Sequence, residues 1–277
     1  MKKIISILFI LLVSLSFAQK KEKIKGSKIV TVQKKQIENF ESIEVYDNLE
    51  IFLVKGNECG VEIEADDNLH EAIQFTISGT NLRISTLKDI TGAKKLSLRI
   101  TYTDNFKMVT ARNETVISAL QDVELDTIVF RGFDKTKLYI NAKSKNFDVE
   151  LDDKSSAELN LKADNSKISL QKSSNLKALI AANNLIVDLY QKSDATIEGD
   201  VDALKVRLDN NSNYVGKNLV SKNASITAEG YTTAIINCKL ALTLYATGKS
   251  QIQIYGDPTF DLKQFSDSAI LLKKPSR

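Results

Sequence analysis

An eleven-residue pattern recurs along the middle of the chain: VELDDKSSAEL begins at Val149, and VDLYQKSDATI begins at Val187. Two apolar residues flank one polar residue, five mostly polar residues follow, and an apolar-polar-apolar triplet ends the stretch. With Leu151 as the anchor, the pattern recurs at intervals of 20, 21, 19, 19, 19, 20, 16 and 18 residues. The anchors are residues 110, 130, 151, 170, 189, 208, 228, 244 and 262.

The local structure of this repeat is predicted to be β. Segments such as VEL, ISL and VDL alternate with period two, the signature of strands, and polar residues separate them. A period near 20 residues with several short strands indicates a solenoid. The LxxLxLxxN/C core of leucine-rich repeats is missing, and a propeller blade needs about 40 residues. The chain is therefore predicted to be all-β, a parallel β-helix of about nine or more coils.

Stacked coils place equivalent residues in columns about 4.8 Å apart, which predicts a rod of roughly 40 Å. Leu151, Leu170, Leu189 and Leu208 should touch in succession. Small residues recur four positions after the anchors, where a tight corner must fit under identical corners, and we expect them to be a packing feature. They are Ser155, Ser174, Ser193, Ser212, Thr232, Gly248 and Ser266.

Residues 37–105 are β-rich but less regular and are expected to form irregular first coils that cover one open end. SGTN at 78–81 predicts a hairpin turn, and DDNLHEAIQF at 66–75 predicts one short helix with Asp66 or Asp67 as its N-cap. Residues 106–272 should form the regular coils, so that 37–272 is a single domain followed by a tail at 273–277.

The first nineteen residues have the features of a signal peptide. Lys2 and Lys3 precede an apolar run, and cleavage is expected near Ala18-Gln19. Residues 20–36 are interpreted as a solvated basic leader. The mature chain is predicted to be exported without a transmembrane segment, and the periplasm, the outer-membrane surface and the medium remain open as destinations.

Charge and cysteine content narrow the function classes. Removing Lys2 and Lys3 from the 38 basic residues leaves 36 against 35 acidic ones, so no electrostatic footprint for nucleic acid exists. The two cysteines, Cys59 and Cys238, should lie far apart along a rod. Since a disulfide needs Cα atoms about 5–6 Å apart, both are expected to be reduced and buried.

Three stretches resemble the adhesin family whose module is called the head GIN domain. They are FESIEVYDNLEIFLVKGNECGVEIEADDNL at 40–69, SGTNLRIS at 78–85 and GKSQIQIYGDP at 248–258. The family's Ser-Gly-Ser-Gly corner signature is replaced here by sequences such as KSS and NNSN. The resemblance spans about residues 37–272 and implies a right-handed β-helix, an adhesin-like role and no catalytic residues.

Few residues suggest a catalytic or metal-binding role. The single histidine, His70, has no G-x-S-x-G serine with it and is expected to be an ordinary surface or partly buried residue of the short helix. No phosphate-binding or dinucleotide-binding glycine motif occurs, and the histidine and cysteine counts do not allow a His-pair or CxxC metal site. No catalytic residue, metal site or cofactor is predicted.

Outward residues that flank the anchors form the candidate binding face. Aromatic rings stack on sugars, and carboxylates accept hydroxyl groups or calcium. The face is therefore either a solvated surface or a platform for glycans or other cell-surface components. Its residues are Asp152, Asp188, Tyr190, Asp209, Glu229 and Tyr245.

The leading hypothesis is a non-enzymatic exported protein for adhesion or envelope binding. A β-helix lyase or hydrolase acting on polysaccharides, and a structural protein that self-assembles through its coil ends, are the alternatives. The oligomeric state remains open.

Overall fold

A computed structural model describes residues 21–275 of the chain, and the expected signal peptide lies outside them. The fold is nearly all-β, with strands that alternate between inward apolar and outward polar residues. The first ten strands are short: Lys23–Lys25 (β1), Val30–Gln36 (β2), Ser42–Val45 (β3), Glu50–Lys55 (β4), Gly60–Asp66 (β5), Ile73–Ser78 (β6), Asn81–Thr86 (β7), Asp89–Thr91 (β8), Leu96–Tyr102 (β9) and Met108–Ala111 (β10).

Seven long strands follow, and three short strands end the described chain. They are Val116–Gly132 (β11), Lys137–Leu151 (β12), Ser156–Leu170 (β13), Asn175–Leu189 (β14), Asp194–Leu208 (β15), Asn213–Ala228 (β16), Thr233–Ala246 (β17), Gln251–Tyr255 (β18), Thr259–Phe265 (β19) and Ile270–Lys273 (β20).

Each long strand pairs in parallel with the next one, which builds a parallel β-solenoid of about nine turns and confirms the predicted architecture. Leu151 pairs with Leu170, Leu170 with Leu189, and Leu189 with Leu208, as the repeat predicted. All four are buried in one continuous apolar core. Burial of a leucine of this kind contributes roughly 2 kcal/mol to folding.

The register of the outer coils differs from the predicted one by one to three residues. Leu151 pairs with Gly132, and Gly132 with Ala111, in place of residues 130 and 110. At the other end Ala228 pairs with Ala246, and Ala246 with Phe265, in place of 244 and 262. The shifts of two, to Gly132 and Ala246, keep every side chain on its side of the strand, so the alternation in the sequence cannot reveal them. At Ala111 the shift is one residue, because three buried residues in a row hide the alternation. At Phe265 the shift is three, because a bulge adds one residue to the strand.

Each coil built from the long strands β11 to β17 has a bend and a corner. In β12 the alternation of inward and outward residues breaks at 145–146, where both residues are exposed, and the pairing with β13 skips one position there. The inward side chains on the two sides of this bend, such as Ile140 and Val149, are buried in the core. The bend therefore divides the coil into two faces, and a four-residue corner from Asp152 to Ser155 leads into the next strand.

Most corners are tight turns whose two central residues both have positive φ, whereas those at Gly230, Gly248 and Asp267 have one such residue. Asp153 and Lys154 have φ of 48° and 62°, and the next corner repeats this at Lys172 and Ser173 with 51° and 65°. Two such residues in succession indicate a type I′ turn, in which glycine and asparagine are preferred. The corner residues of this chain thus accept a left-handed conformation that glycine adopts without strain.

The serine column at the corners is buried and links the coils. Ser174 and Ser193 donate hydrogen bonds from Oγ to the carbonyl oxygens of Leu151 and Leu170, at 3.2 Å each. Ser212 does the same toward Leu189 at 3.0 Å. In the last coils the structure places Ser250 and Ala269 in this column, because of register shifts of two and three residues, and not the predicted Gly248 and Ser266.

Ser193→Ala should lower the free energy of unfolding by about 1 kcal/mol, because a buried hydrogen bond to the neighbouring coil is lost. The matched control is Ser155→Ala, since the Ser155 hydroxyl is equally buried but has no hydrogen-bond partner among the described residues. This control should leave stability unchanged or raise it slightly. Urea unfolding measures both, and equal losses would show that the hydroxyl column does not join the coils.

The segment expected to be a solvated leader is instead part of the fold. β1 pairs in parallel with β8, and β2 pairs antiparallel with β5 along seven residue pairs, from Val30–Asp66 to Gln36–Gly60. The physical reason is that β5 would otherwise present an unpaired edge. Four of the basic residues of this segment, Lys23, Lys25, Lys34 and Lys35, lie on these two strands, so the segment is not a free leader.

The predicted helix is shorter than expected. A 3-10 helix spans Asp67–Ala72, and Ile73 already begins β6, which forms the predicted hairpin with β7. Asp66 precedes the helix but makes no capping bond. Its carboxylate accepts hydrogen bonds from the backbone N–H groups of Lys28, Lys94 and Lys95 at 2.9–3.0 Å, so it ties three separate segments together. Burial alone raises the pKa of Asp66, but these donors hold it below its usual value.

Both cysteines are buried and free, which confirms the expectation for Cys59 and Cys238. Within residues 21–275 no helix is long and apolar enough to span a bilayer.

Candidate functional site

Two columns of outward residues run beside the corners and together are called the corner strip. All six predicted binding residues lie in it: Asp188 and Tyr245 in the first column, and Asp152, Tyr190, Asp209 and Glu229 in the second. The first column consists of Glu44, Thr110, Arg131, Glu150, Ser169, Asp188, Arg207, Thr227 and Tyr245. The second consists of Tyr46, Arg112, Phe133, Asp152, Gln171, Tyr190, Asp209, Glu229 and Thr247.

In the N-terminal half of the corner strip, the aromatic and charged groups are paired with one another. The guanidinium of Arg83 lies 4.6 Å from the ring centre of Tyr46, and that of Arg112 lies 4.1 Å from that of Phe133. Tyr46 donates a 2.5 Å hydrogen bond to Glu44. Burial and this bond raise the pKa of Tyr46. Because an arginine already covers one face of each of these two rings, this half has few aromatic faces free for a ligand.

Two of the predicted binding residues hold corners together. Oδ1 of Asp152 accepts a hydrogen bond from the N–H of Asp153 at 2.7 Å, and its Oδ2 lies 3.0 Å from Nζ of Lys172. Only 13% of the Asp152 side chain is exposed. Asp209 accepts the N–H of Asn210 at 2.7 Å in the same way. A carboxylate that accepts the following N–H stabilises a turn, so both residues have a local structural role.

The C-terminal half of the strip presents the remaining four predicted residues together with Arg207. The guanidinium of Arg207 lies 5.6 Å from the ring centre of the half-buried Tyr190. Burial raises the pKa of Tyr190, and the carboxylate of Asp188 raises it further. Tyr245 is 40% exposed and lies three coils from Tyr190, about 14 Å along the rod. The two tyrosines and the carboxylates of Asp188 and Glu229 therefore lie on one face.

Sequence reasoning missed a third aromatic side chain in this half. Tyr231 lies in the corner two residues after Glu229 and is 61% exposed. The Nζ atom of Lys249 lies 5.0 Å from the centre of its ring. The signal that could have revealed it is an aromatic residue directly after a glycine, at a corner position that polar residues occupy in most other coils.

A further concavity of the described residues lies along the bend. It is a groove of about 900 Å³ with a floor of small residues such as Ala163 and Ala181 and with charged walls. Several of its charges are paired within the chain, for example Lys145 with Asp126 at 2.8 Å. No sequence motif marks this groove, because its residues come from several coils and none of them is unusual alone.

His70 lies in the N-terminal segment, apart from the corner strip. It is almost fully buried, and its Nε2 lies 2.8 Å from Oγ1 of Thr31 in β2. His70 is therefore more buried than the surface or partly buried position that was expected.

A comparison with known protein families shows to which family the chain belongs. A family model described as "Putative auto-transporter adhesin, head GIN domain" matches residues 39–258. The chain belongs to this family. The corner strip is thus a surface of a head GIN domain, and the matched region includes all six predicted residues. No curated protein matches the chain.

Solved structures share the fold of this head GIN domain. A putative adhesin from Parabacteroides merdae is 17% identical, with a TM-score of 0.59, and the match covers 92% of this chain and 98% of that one. A putative lipid binding protein from Parabacteroides distasonis is 13% identical, with a TM-score of 0.62 and the same coverage. A second P. distasonis protein, a putative adhesin, is 14% identical with a TM-score of 0.57, covering 91% and 100%.

Proposed function

We propose that this head GIN domain is an exported, non-enzymatic binding protein that holds glycans or other cell-surface components on the C-terminal half of its corner strip. The observation that carries the proposal is that Tyr190, Tyr245 and two carboxylates share one face of a rigid rod. The family description and the adhesin descriptions of the similar structures support a binding role.

The proposed mechanism uses many weak contacts. Tyrosine rings offer flat apolar faces for sugar rings, and the carboxylates of Asp188 and Glu229 accept hydroxyl hydrogens. Because the stacked coils hold these groups in place before binding, little conformational entropy is lost when the ligand arrives. Repeated units of a polymeric ligand then gain affinity from simultaneous contacts.

Cleavage of a glycan is less well supported by the same residues. A glycosidase needs two carboxylates about 5–10 Å apart on either side of the scissile bond. Asp188 and Glu229 project from the same face of the rod, and Asp152 and Asp209 are engaged in turns. This arrangement favours contact along a polymer over attack on one bond.

Tyr190→Ala/Tyr245→Ala should weaken binding to a glycan or surface-protein array by about tenfold, since two stacking contacts of roughly 0.5–1.5 kcal/mol are removed. The control is Tyr139→Ala, because Tyr139 is 41% exposed but lies on the other face of the coil. Binding to lipid vesicles is measured in the same experiment, because one similar structure is described as a putative lipid binding protein. Binding that survives the double substitution, or that Tyr139→Ala weakens equally, would contradict the assignment to the corner strip.

A further inference from the structure

The last coil leaves an apolar surface open at the C-terminal end of the solenoid. Phe260, Leu262 and Phe265 of β19 continue the inward columns of the preceding coil, where Leu242, Leu244 and Ala246 are fully buried. In the last coil the same columns are 47%, 53% and 40% exposed. The end of the rod therefore exposes a cross-section of its own core.

The backbone of this coil is also open on one side. β19 pairs with β17 and β20 pairs with β18, and within residues 21–275 neither strand has a partner on its outer edge. A strand edge of this kind presents a row of unpaired N–H and C=O groups, which makes it a template for another strand. The end thus combines apolar side chains with unsatisfied backbone groups.

The opposite end of the rod has a different character. There the 3-10 helix and β6 close the core, with Leu69 and Ile73 buried. The edge strand β2 carries Lys34 and Lys35 and is mostly exposed and polar. Head-to-tail stacking would place the apolar C-terminal end of one copy against the closed, charged end of another. Two C-terminal ends, in contrast, can bury their apolar side chains against each other.

We propose that two copies of the chain associate through their C-terminal ends about a two-fold axis, with the β19 strands antiparallel and Leu262 of each copy opposite Leu262 of the other. This register sets Asp261 of each copy against Lys263 of the other. Within one copy these two side chains already lie 2.9 Å apart, so the pair can be exchanged across the axis without loss of charge balance. A two-fold contact of this kind closes after two copies and does not propagate into fibres.

The local geometry of β19 suits this contact. Its pairing with β17 shifts by one residue after Leu262, so that Lys263 is the extra residue of a bulge. The bulge turns Phe265 to the same side as Phe260 and Leu262, which gathers three large apolar side chains at the end of the rod. The dimer would carry two corner strips and would therefore bind a polymeric ligand with higher avidity. Only this gain in avidity rests on the proposed binding function.

Light scattering or sedimentation equilibrium of the mature chain should show a mass that rises from one copy to two with concentration. Leu262→Lys should weaken this association at least about tenfold, because it places a charge in the apolar contact. Leu179→Lys is the matched control: Leu179 is also 53% exposed but lies in the middle of the rod. Circular dichroism checks that both variants remain folded. A chain that is monomeric at every concentration, or a dimer that Leu262→Lys leaves intact, would overturn the proposal.

Cross-linking tests the axis directly. Opposite residues of antiparallel strands have Cα atoms about 4.5–5.5 Å apart, which is within the range of a disulfide. Leu262→Cys should therefore form a linked dimer under mild oxidation, while Leu179→Cys should not. The native cysteines are buried and should not interfere. Equal rates of cross-linking in the two variants would contradict the two-fold axis at Leu262.

The charge pair tests the register. Asp261→Lys or Lys263→Asp alone sets like charges against each other and should weaken the dimer, and the double exchange should restore it. If the double exchange remains as weak as the single ones, the antiparallel register is wrong.

Discussion

Leu189→Ala is expected to lower the free energy of unfolding by about 3 kcal/mol, within the range of roughly 2–5 kcal/mol for truncation of a buried leucine. Leu189 is fully buried and pairs with Leu170 on one side and Leu208 on the other. The truncation removes contacts with both neighbouring coils and leaves a cavity that cannot close, because stacked strands hold the coil spacing near 4.8 Å.

The matched control is Leu179→Ala in the same strand, β14. Leu179 points outward and is 53% exposed, so its truncation should change stability by less than about 0.5 kcal/mol. Chemical denaturation measures both variants. If the two substitutions had equal effects, the column of leucines would not be the core of the solenoid.

The second large effect is expected at a glycine. Gly199→Ala should destabilise the protein by about 3 kcal/mol or more, for two reasons that add. Gly199 has φ of +115°, a conformation that strains other residues, and a Cβ atom there would lie 2.1 Å from the carbonyl oxygen of Ile180 in the neighbouring coil. Ile180 is the residue with which Gly199 pairs, so relief of the clash requires two coils to separate.

Gly60→Ala is the control for Gly199→Ala. A Cβ atom at Gly60 meets nothing within 4 Å, and its φ is not positive. Loss of flexibility in the unfolded chain should make this variant neutral or slightly more stable. A thermal or urea unfolding series separates the outcomes. A Gly199→Ala variant as stable as Gly60→Ala would show that the coils do not pack as closely at this position.

The repeat predicted that the six candidate residues lie in outward columns, but it did not predict their contacts. The repeat placed all six residues in neighbouring outward columns, since residues that flank equivalent anchors must stack. Their contacts depended on the corners. Asp152 and Asp209 turn out to accept the N–H of the next residue, and Tyr190 lies under Arg207. Those partners come from turn geometry and from the next coil, which a pattern of polar and apolar residues does not encode.

The sequence by itself determined the class of fold and the orientation of side chains. A 19-residue period with two-residue alternation admits few architectures, and it correctly predicted the leucine column from Leu151 to Leu208 and the hairpin at 78–81. Both features are local or periodic, so they are visible along the chain.

Only the tertiary structure decided three other points: the register of the outer coils, the incorporation of β1 and β2, and the open C-terminal end. The register is ambiguous in steps of two because strand alternation has period two, and the bulge at Lys263 adds an odd step that no local pattern signals. The strands β1 and β2 form because distant edges at 60–66 and 89–91 accept them. The exposure of Leu262 follows from the lack of a further described coil above it, although its sequence pattern matches that of the buried Leu244. All three depend on which segments of neighbouring coils form hydrogen bonds with each other, and this pairing is not visible along the chain.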